Sequence, residues 1–567
     1  MNSIYKDKYL KYKNKYIRHR QYLELKKKQY GGSDYYSWFI IDNERELESE
    51  LELELEFELE LESKYNNGKA VKITFRDTEY YITADGKYRN GNELLRREQK
   101  IINDNIDENT LFEALRTCAS KYKVVLRVAG GWVRDKILRR QNDDIDIAVD
   151  IMTGKTFSEH LFEYVNGLGN GWECFPISII AANAEKSKNL ETATLKLKIP
   201  NGKIFELDFV GLRTEVYDDE SRVPVVKSAT APEDAMRRDL TINSLFYNIN
   251  TGKIEDYIGG VRDIHCKIIR TPLPSEKTFN DDPLRILRAL RFLSRFQFTL
   301  DETIKIAMRN HDIQEKLGKS IARDRIGKEI EGFFKDGSQP ILAFREIYNN
   351  GLWNITFGGD GNWGQQSMNL IERLEEQTLV NVLSTLTYPL FEMDIGKTFR
   401  LGENTIADNC YLINLRLNTK LAKISSEIHK CIFKILTILN EKDPQLWKLS
   451  EIAFIIRDVG ENLNNAIQVG KTLNYELFNN VNNFIKRYNL EKSYEKQNFR
   501  TDLVTREFGV NGRQLGVLLK ILLAWQFDNP DKGFEDAIKL KEIFLLETEE
   551  KAREEEKNFV VRKKKDK

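Results

Sequence analysis

Two aspartates, Asp144 and Asp146, stand two residues apart in the apolar run DIDIAVD of this 567-residue chain. Alternate residues of a strand share a face, so both carboxylates project the same way. Paired acids on a rigid strand suit two divalent metals that bridge the phosphates of a nucleotide. Just upstream the chain reads LRVAGGWVRD. Gly130 and Gly131 lack a Cβ, which lets backbone amides approach a triphosphate, and Arg134 follows one helical turn later to meet its charge. A DxD string alone carries little weight, because short motifs recur by chance. It gains weight here from the elements that must position it. Val124–Ala129 reads as a buried strand, Trp132–Leu138 as a short amphipathic helix, and the acids sit on a second strand.

Three further groups belong to the same kind of chemistry. Glu206 and Asp208 alternate in IFELDFV and face one side of a strand. Arg237, Arg238 and Asp239 open the segment LTINSLFYN, and a fixed guanidinium such as that of Arg238 suits bidentate phosphate binding. Asp282, Arg285, Arg288 and Arg291 recur every three residues, neighbours on a helix surface anchored by Leu284, Leu287 and Leu290.

These segments resemble the class II tRNA nucleotidyltransferases, the CCA-adding enzymes of the polymerase-β-like superfamily, in their eukaryotic-type branch. The likeness runs in order through GGWVRD and DIDIA, Asn183–Thr194, Leu207–Tyr217, Glu233–Asn248, Ile254–Asp263, Arg270–Phe298 and Ala322–Phe333. It implies an α+β protein: a small mixed-sheet head over 98–262, a helical neck over 263–345, a helical body over 346–480 and a tRNA-binding helical tail over 481–567. It also implies template-independent CCA addition to tRNA from CTP and ATP with Mg²⁺, Asp144 and Asp146 holding the metal and Asp208 beside them. Gly130, Gly131, Arg134 and Arg238 match residues at the triphosphate. Asp282 and Arg285 match the pair that reads base edges, with Arg288 and Arg291 in support, and Arg323, Asp324, Arg325 and Glu329 match a structural motif. Asp256, Gly259, Gly260 and Asp263 match a flexible connector. Poly(A) addition, partial CC or A addition, and an inactive tRNA-binding homologue are the alternatives. The Asn183–Thr194 stretch favours full CCA addition.

Composition is compatible. Lys plus Arg and Asp plus Glu are both 88, so the net charge is zero and any RNA surface must concentrate its charge locally. Five scattered cysteines without CxxC spacing imply neither a disulfide frame nor a zinc site. With no membrane-length apolar run, no evident mitochondrial or nuclear targeting signal and no obligate protein partner in view, a cytoplasmic enzyme is the expectation. Outside the family pattern lie a basic leader over 1–32 with a Tyr5, Tyr9, Tyr12, Tyr16 stripe and a segment over 33–97. The latter holds the Leu/Glu alternation Glu46–Glu62, low-complexity sequence, and a candidate hairpin in Val71–Thr83. GKT strings at Gly154, Gly396 and Gly470 lack the glycine five residues earlier that a phosphate loop needs. A lone His311–Asp312 pair lacks the partners of a hydrolytic metal centre, and the terminal Arg562–Lys565 run reads as a floppy basic tail.

Overall fold

The computed structural model describes residues 72–75, 78–82, 88–90, 94–96, 98–99, 105–180, 192–216, 225–335, 337–359, 362–395, 397, 405–496 and 498–565. The tyrosine stripe, the Leu/Glu run and residues 183–191 of the Asn183–Thr194 stretch lie outside them. The chain divides into two units, one through Leu273 and one from Pro274. The expected boundary at 262/263 instead falls inside helix Gly260–Cys266.

Three strands, β1 (Lys72–Phe75), β2 (Thr78–Ile82) and β3 (Tyr88–Asn90), form an antiparallel sheet where a hairpin was anticipated. The head proper is an eight-stranded sheet. Its strands are β4 (Leu126–Ala129), β5 (Ile145–Val149), β6 (Glu173–Cys174), β7 (Ser178–Ile180), β8 (Thr192–Lys198), β9 (Ile204–Gly211), β12 (Phe246–Asn248) and β13 (Lys253–Glu255). The short pair β10 (Arg213–Val216) and β11 (Val225–Ser228) stands apart. Across the sheet the order is β13-β12-β4-β5-β9-β8-β6, with β7 also on β8. Neighbours are antiparallel except β5 and β9, which run parallel. That pair sets Asp146 directly beside Asp208.

Alternation decides the faces. Phe205, Leu207 and Phe209 of β9 are buried with Ile145, Ile147 and Val149 of β5. Helix α1 (Ile106–Tyr122) starts on the Asn105 side chain, which accepts from the Asp107 and Glu108 amides, and buries Leu111, Phe112, Leu115 and Cys118. Helix α2 (Gly131–Ile137) follows β4, and α3 (Gly154–Leu168) buries Phe157, Leu161 and Val165, with the Phe157 ring 5.5 Å from that of Phe209. The opposite face carries the acids. Small side chains let helix α4 (Ala231–Met236) lie close over it, Ala231 and Ala235 packing with Ala129, Ala148 and Phe246. Helix α5 (Gly260–Cys266) closes the unit.

In the second unit the described secondary structure is helical apart from the two-residue strand Thr299–Leu300. Helix α6 (Ser275–Asp281) leads into α7 (Leu284–Phe296), whose Ile286, Leu287, Ala289 and Leu290 are fully buried, and α8 (Arg323–Glu331) packs on α7. A large core beyond it is built from Ile428, Ile432, Ile452, Ile456, Phe478 and their neighbours. A second one joins Val504 and Phe508 to Leu518, Ile521 and Leu522. Arg562–Lys565 closes the long helix Lys541–Lys565 instead of forming a floppy tail. No described helix is long and apolar enough to cross a membrane.

The packing also explains one of the GKT strings. A Cβ on Gly154 would fall on the Phe209 carbonyl of β9, so the glycine is required for the helix to approach the strand. Gly154→Ala must displace either α3 or the strand carrying Asp208, and we expect a loss of about 1–3 kcal/mol in stability. Urea unfolding of the variant tests this; an unchanged midpoint would contradict it.

Candidate active site

The head site is built from three stretches. Asp146 lies on β5 and Asp208 on β9, side by side in the parallel register. Strand β8 adds Thr194 opposite Asp208, and its hydroxyl donates to the Asp208 carboxylate at 2.5 Å. Glu206, on the same face, pairs with Lys196 at 3.0 Å. Asp144 stands one residue before the strand begins, not on it as expected, and its amide is held by the Asn142 side chain at 3.0 Å. Asp146 has its pKa raised. The enclosing head strips water from it, Asp208 and Asp144 repel its charge, and the Arg238 guanidinium compensates in part. Its outer edge opens to solvent, so a ligand can reach the carboxylate.

Arg238 is fixed from behind. Its Nε and Nη2 donate to one oxygen of Asp234 at 3.0 and 2.8 Å, its Nη1 donates to the Asn243 carbonyl at 3.0 Å, and its guanidinium lies 4.9 Å from the Phe246 ring centre. The other Asp234 oxygen accepts from Arg237 Nε and Nη2 at 3.0 and 2.6 Å and from the Arg213 amide at 3.2 Å. Two guanidiniums outweigh the burial of Asp234 and hold its pKa below the usual carboxylate value. Asp234 belongs to the string EDAMR. Its role follows from spacing, since it sits three and four residues before the arginines it grips.

Two groups expected at the phosphates have partners within the head. Gly130 adopts φ +55°, and its amide donates to the Leu245 carbonyl at 2.8 Å. A Cβ there would stand 2.7 Å from Arg238 Nη1 and 2.8 Å from the Asn243 carbonyl, so the glycine makes room for the arginine's anchor. Gly131 opens α2. Arg134 is 4 % exposed and turned inward. Its Nε and Nη2 donate to Asp135 at 2.8 and 3.0 Å and its Nη1 to the Asn243 side chain at 2.5 Å. The orientation of a two-turn helix decides this, and the spacing of GGxVRD does not reveal it.

The connector expected to flex is instead a capped helix start. The Asp256 carboxylate accepts from the amides of Ile258, Gly259, Gly260 and Val261 at 2.8–3.3 Å. Asp263 is fully buried and paired with Arg262 at 2.7 Å.

In the second unit the arginine strip winds around its helix, because steps of three fall short of a 3.6-residue turn. Arg285 is buried, whereas Arg288 and Arg291 are partly exposed and reach Glu329 of α8 at 3.7 and 3.0 Å. Asp282 lies just before α7. One of its oxygens accepts from the Leu284 amide at 3.1 Å and the other from Arg325 at 3.2 Å. Arg323 points elsewhere, to the Ile355 carbonyl at 2.7 Å. The motif that includes Arg325 and Glu329 therefore orients the strip through ion pairs.

Comparison with known proteins gives a consistent picture. The family described as the Poly A polymerase head domain matches residues 126–270. The tRNA nucleotidyltransferase cca2 of Schizosaccharomyces pombe is 30% identical over 480 residues, covering 78% of this chain and 96% of that one. The mitochondrial CCA tRNA nucleotidyltransferase of Saccharomyces cerevisiae is 44% identical over 237 residues, 41% of this chain and 42% of that protein. Among solved structures, the Thermotoga maritima CCA-adding enzyme complexed with tRNA shares the fold with a TM-score of 0.55 at 19% identity, covering 81% of this chain and 99% of that one. The cytoplasmic placement expected without an evident targeting signal does not stand, since the yeast relative with 44% identity is a mitochondrial enzyme.

The geometry of the acids makes a prediction about stability. A carboxyl whose folded pKa is raised stabilises the fold in acid, and that contribution is lost as pH rises through the folded pKa. Asp146→Asn, uncharged at every pH, is therefore expected to melt above the wild type at neutral pH in metal-free buffer, with the gap closing in acid. A divalent metal should raise the wild-type melting temperature more than the variant's. A variant that melts below the wild type without metal would contradict this.

Proposed function

The chain belongs to the tRNA nucleotidyltransferases, and on that premise we propose how its own residues carry out the reaction. The enzyme adds CCA to the 3′ end of tRNA from CTP and ATP, without a nucleic-acid template. The tRNA 3′-hydroxyl attacks the α-phosphorus of the nucleotide, a P–O bond to the RNA forms, and the bond to the departing pyrophosphate breaks.

Transfer in this family is metal-dependent, and the residues fit a hard divalent cation. The donors are carboxylate oxygens; loss of water and then repulsion from Asp208 and Asp144 raise the Asp146 pKa, and a cation would relieve the repulsion. Asp144 and Asp146 are the residues that would hold Mg²⁺, with Asp208 adding negative charge beside them. Bound there, the metal lowers the pKa of the attacking hydroxyl and neutralises phosphate charge. Thr194 fixes the Asp208 carboxylate by donating to it. Arg238, clamped by Asp234, presents its guanidinium to the triphosphate that every nucleotide shares. Gly130 permits that arrangement, and Arg134 supports it from inside through Asn243.

Selection belongs to the second unit. The Asp282 carboxylate accepts from an exocyclic amine and the Arg285 guanidinium donates to a ring nitrogen or carbonyl. Cytosine and adenine both offer that amine; uracil and guanine place a carbonyl there. Arg288 and Arg291, tied to Glu329, hold the strip in register. The observation that carries the whole reading is the adjacent placement of Asp146 and Asp208, with Arg238 acting on the same charge.

Two sets of variants test it. Asp144→Ala and Asp146→Ala should each slow nucleotide addition by on the order of a thousandfold while tRNA affinity holds. Arg285→Ala should cost roughly tenfold to a hundredfold in discrimination of CTP and ATP from UTP and GTP. Arg238→Ala should weaken all four alike. Single-nucleotide incorporation into tRNA trimmed to each stage of CCA is the measurement. Equal loss for all four nucleotides with Arg285→Ala would remove the selector assignment.

A further inference from the structure

The two metal-holding acids are fixed by different means. Asp146 is locked by the sheet, with β4 on one side and β9 on the other. Asp144 precedes β5, so the ladder that immobilises Asp146 does not reach it. Its amide instead donates to Asn142 Oδ1 at 3.0 Å. The same Asn142 side chain uses its other end inward, Nδ2 donating to Asp135 Oδ2 at 2.9 Å. Asp135 is 1 % exposed and takes the bidentate grip of Arg134, whose remaining nitrogen reaches Asn243. Asn243 in turn donates to Asp239 at 3.0 Å and offers its carbonyl to Arg238. A continuous run of hydrogen bonds thus joins the backbone of one acid to the guanidinium that acts on the other.

We infer that Asn142 is the positioning residue for Asp144, coupling the first metal-holding acid to the buried Asp135–Arg134–Asn243 network. An amide is the side chain this position requires. It must accept from a backbone N–H through one atom and donate to a carboxylate through another, which ionised aspartate and alanine cannot do and which serine, with a single shorter hydroxyl, does not reproduce. With the amide removed, Asp144 keeps its charge but loses its fixed direction, and a misplacement of this kind acts on the chemical step more than on binding. Asn142 is itself half-buried, so its removal leaves the core intact. The inference rests on the proposed role of Asp144, and it adds a residue that acts through Asp144.

The test uses the full chain and three variants, Asn142→Ala, Asn142→Ser and Asp144→Ala. Asn142→Ala should lower kcat by about tenfold to a hundredfold with KM for CTP nearly unchanged. It should also raise the Mg²⁺ concentration needed for half of the metal-induced rise in melting temperature, a readout independent of turnover. Asn142→Ser, whose hydroxyl can still accept from the Asp144 amide, should recover part of both. Wild-type kcat and wild-type metal dependence in Asn142→Ala, beside an inactive Asp144→Ala, would overturn the positioning role alone. Full activity in Asp144→Ala would overturn the metal site on which it rests. A fall in metal-free melting temperature with no change in metal dependence would reduce Asn142 to a structural residue and also overturn the inference.

Discussion

The head is organised around a repulsion. Parallel pairing of β5 and β9 places the carboxylates of Asp146 and Asp208 on one face, side by side. Like charges on adjacent strands disfavour one another, and the surrounding head removes part of the water that would screen them. A fold keeps such an arrangement only if something else supplies positive charge. Arg238 supplies some of it from the protein, and the proposed divalent cation would supply more. The geometry that costs stability in isolation is the one proposed to bind metal and nucleotide.

Much of the remaining head can be understood as the means of holding Arg238 and the acids still. Alanines at 129, 148, 231 and 235 bring α4 down onto the sheet. That approach buries Asp234, and Asp234 then fixes two arginines at once. Gly130 turns tightly because a side chain there would collide with the arginine's anchor. The second unit uses the same device at α7, where the buried Glu329 takes Arg288 and Arg291 and Arg325 takes Asp282. Partners that share a carboxylate in this way lose less freedom when a substrate arrives, because their directions are already set.

The sequence made the strand residues legible and the networks illegible. Period-two alternation put Glu206 and Asp208 on one face of their strand, because a β-strand has only two faces, but the register that brings Asp146 beside Asp208 is not legible in it. It overreached by one residue at Asp144, which lies before the ladder starts. Asn243 carried no local signal, since Arg134 lies 109 residues away in the chain, whereas the contacts of Asn142 to Asp144 and Asp135 are local and could have been sought. Arg134 was misdirected for a related reason: a short helix can rotate its charged residue toward solvent or core, and only the neighbours decide. Asp234 could have been found, because its spacing to Arg237 and Arg238 is that of helix ion pairs. The connector at Asp256 showed its glycines but not the four amides converging on one carboxylate, so flexibility was inferred where capping occurs.

Ordered, protein-templated addition requires the acids of the head for transfer and the Asp282–Arg285 pair for selection. The most direct measurement gives the purified chain a tRNA lacking its last three nucleotides and sequences the products. With CTP alone the product should end in CC, with CTP and ATP together in CCA, and ATP alone should leave that tRNA unextended. Runs of adenosine, indifferent use of all four nucleotides, or no extension by the intact protein with Mg²⁺ would contradict the account.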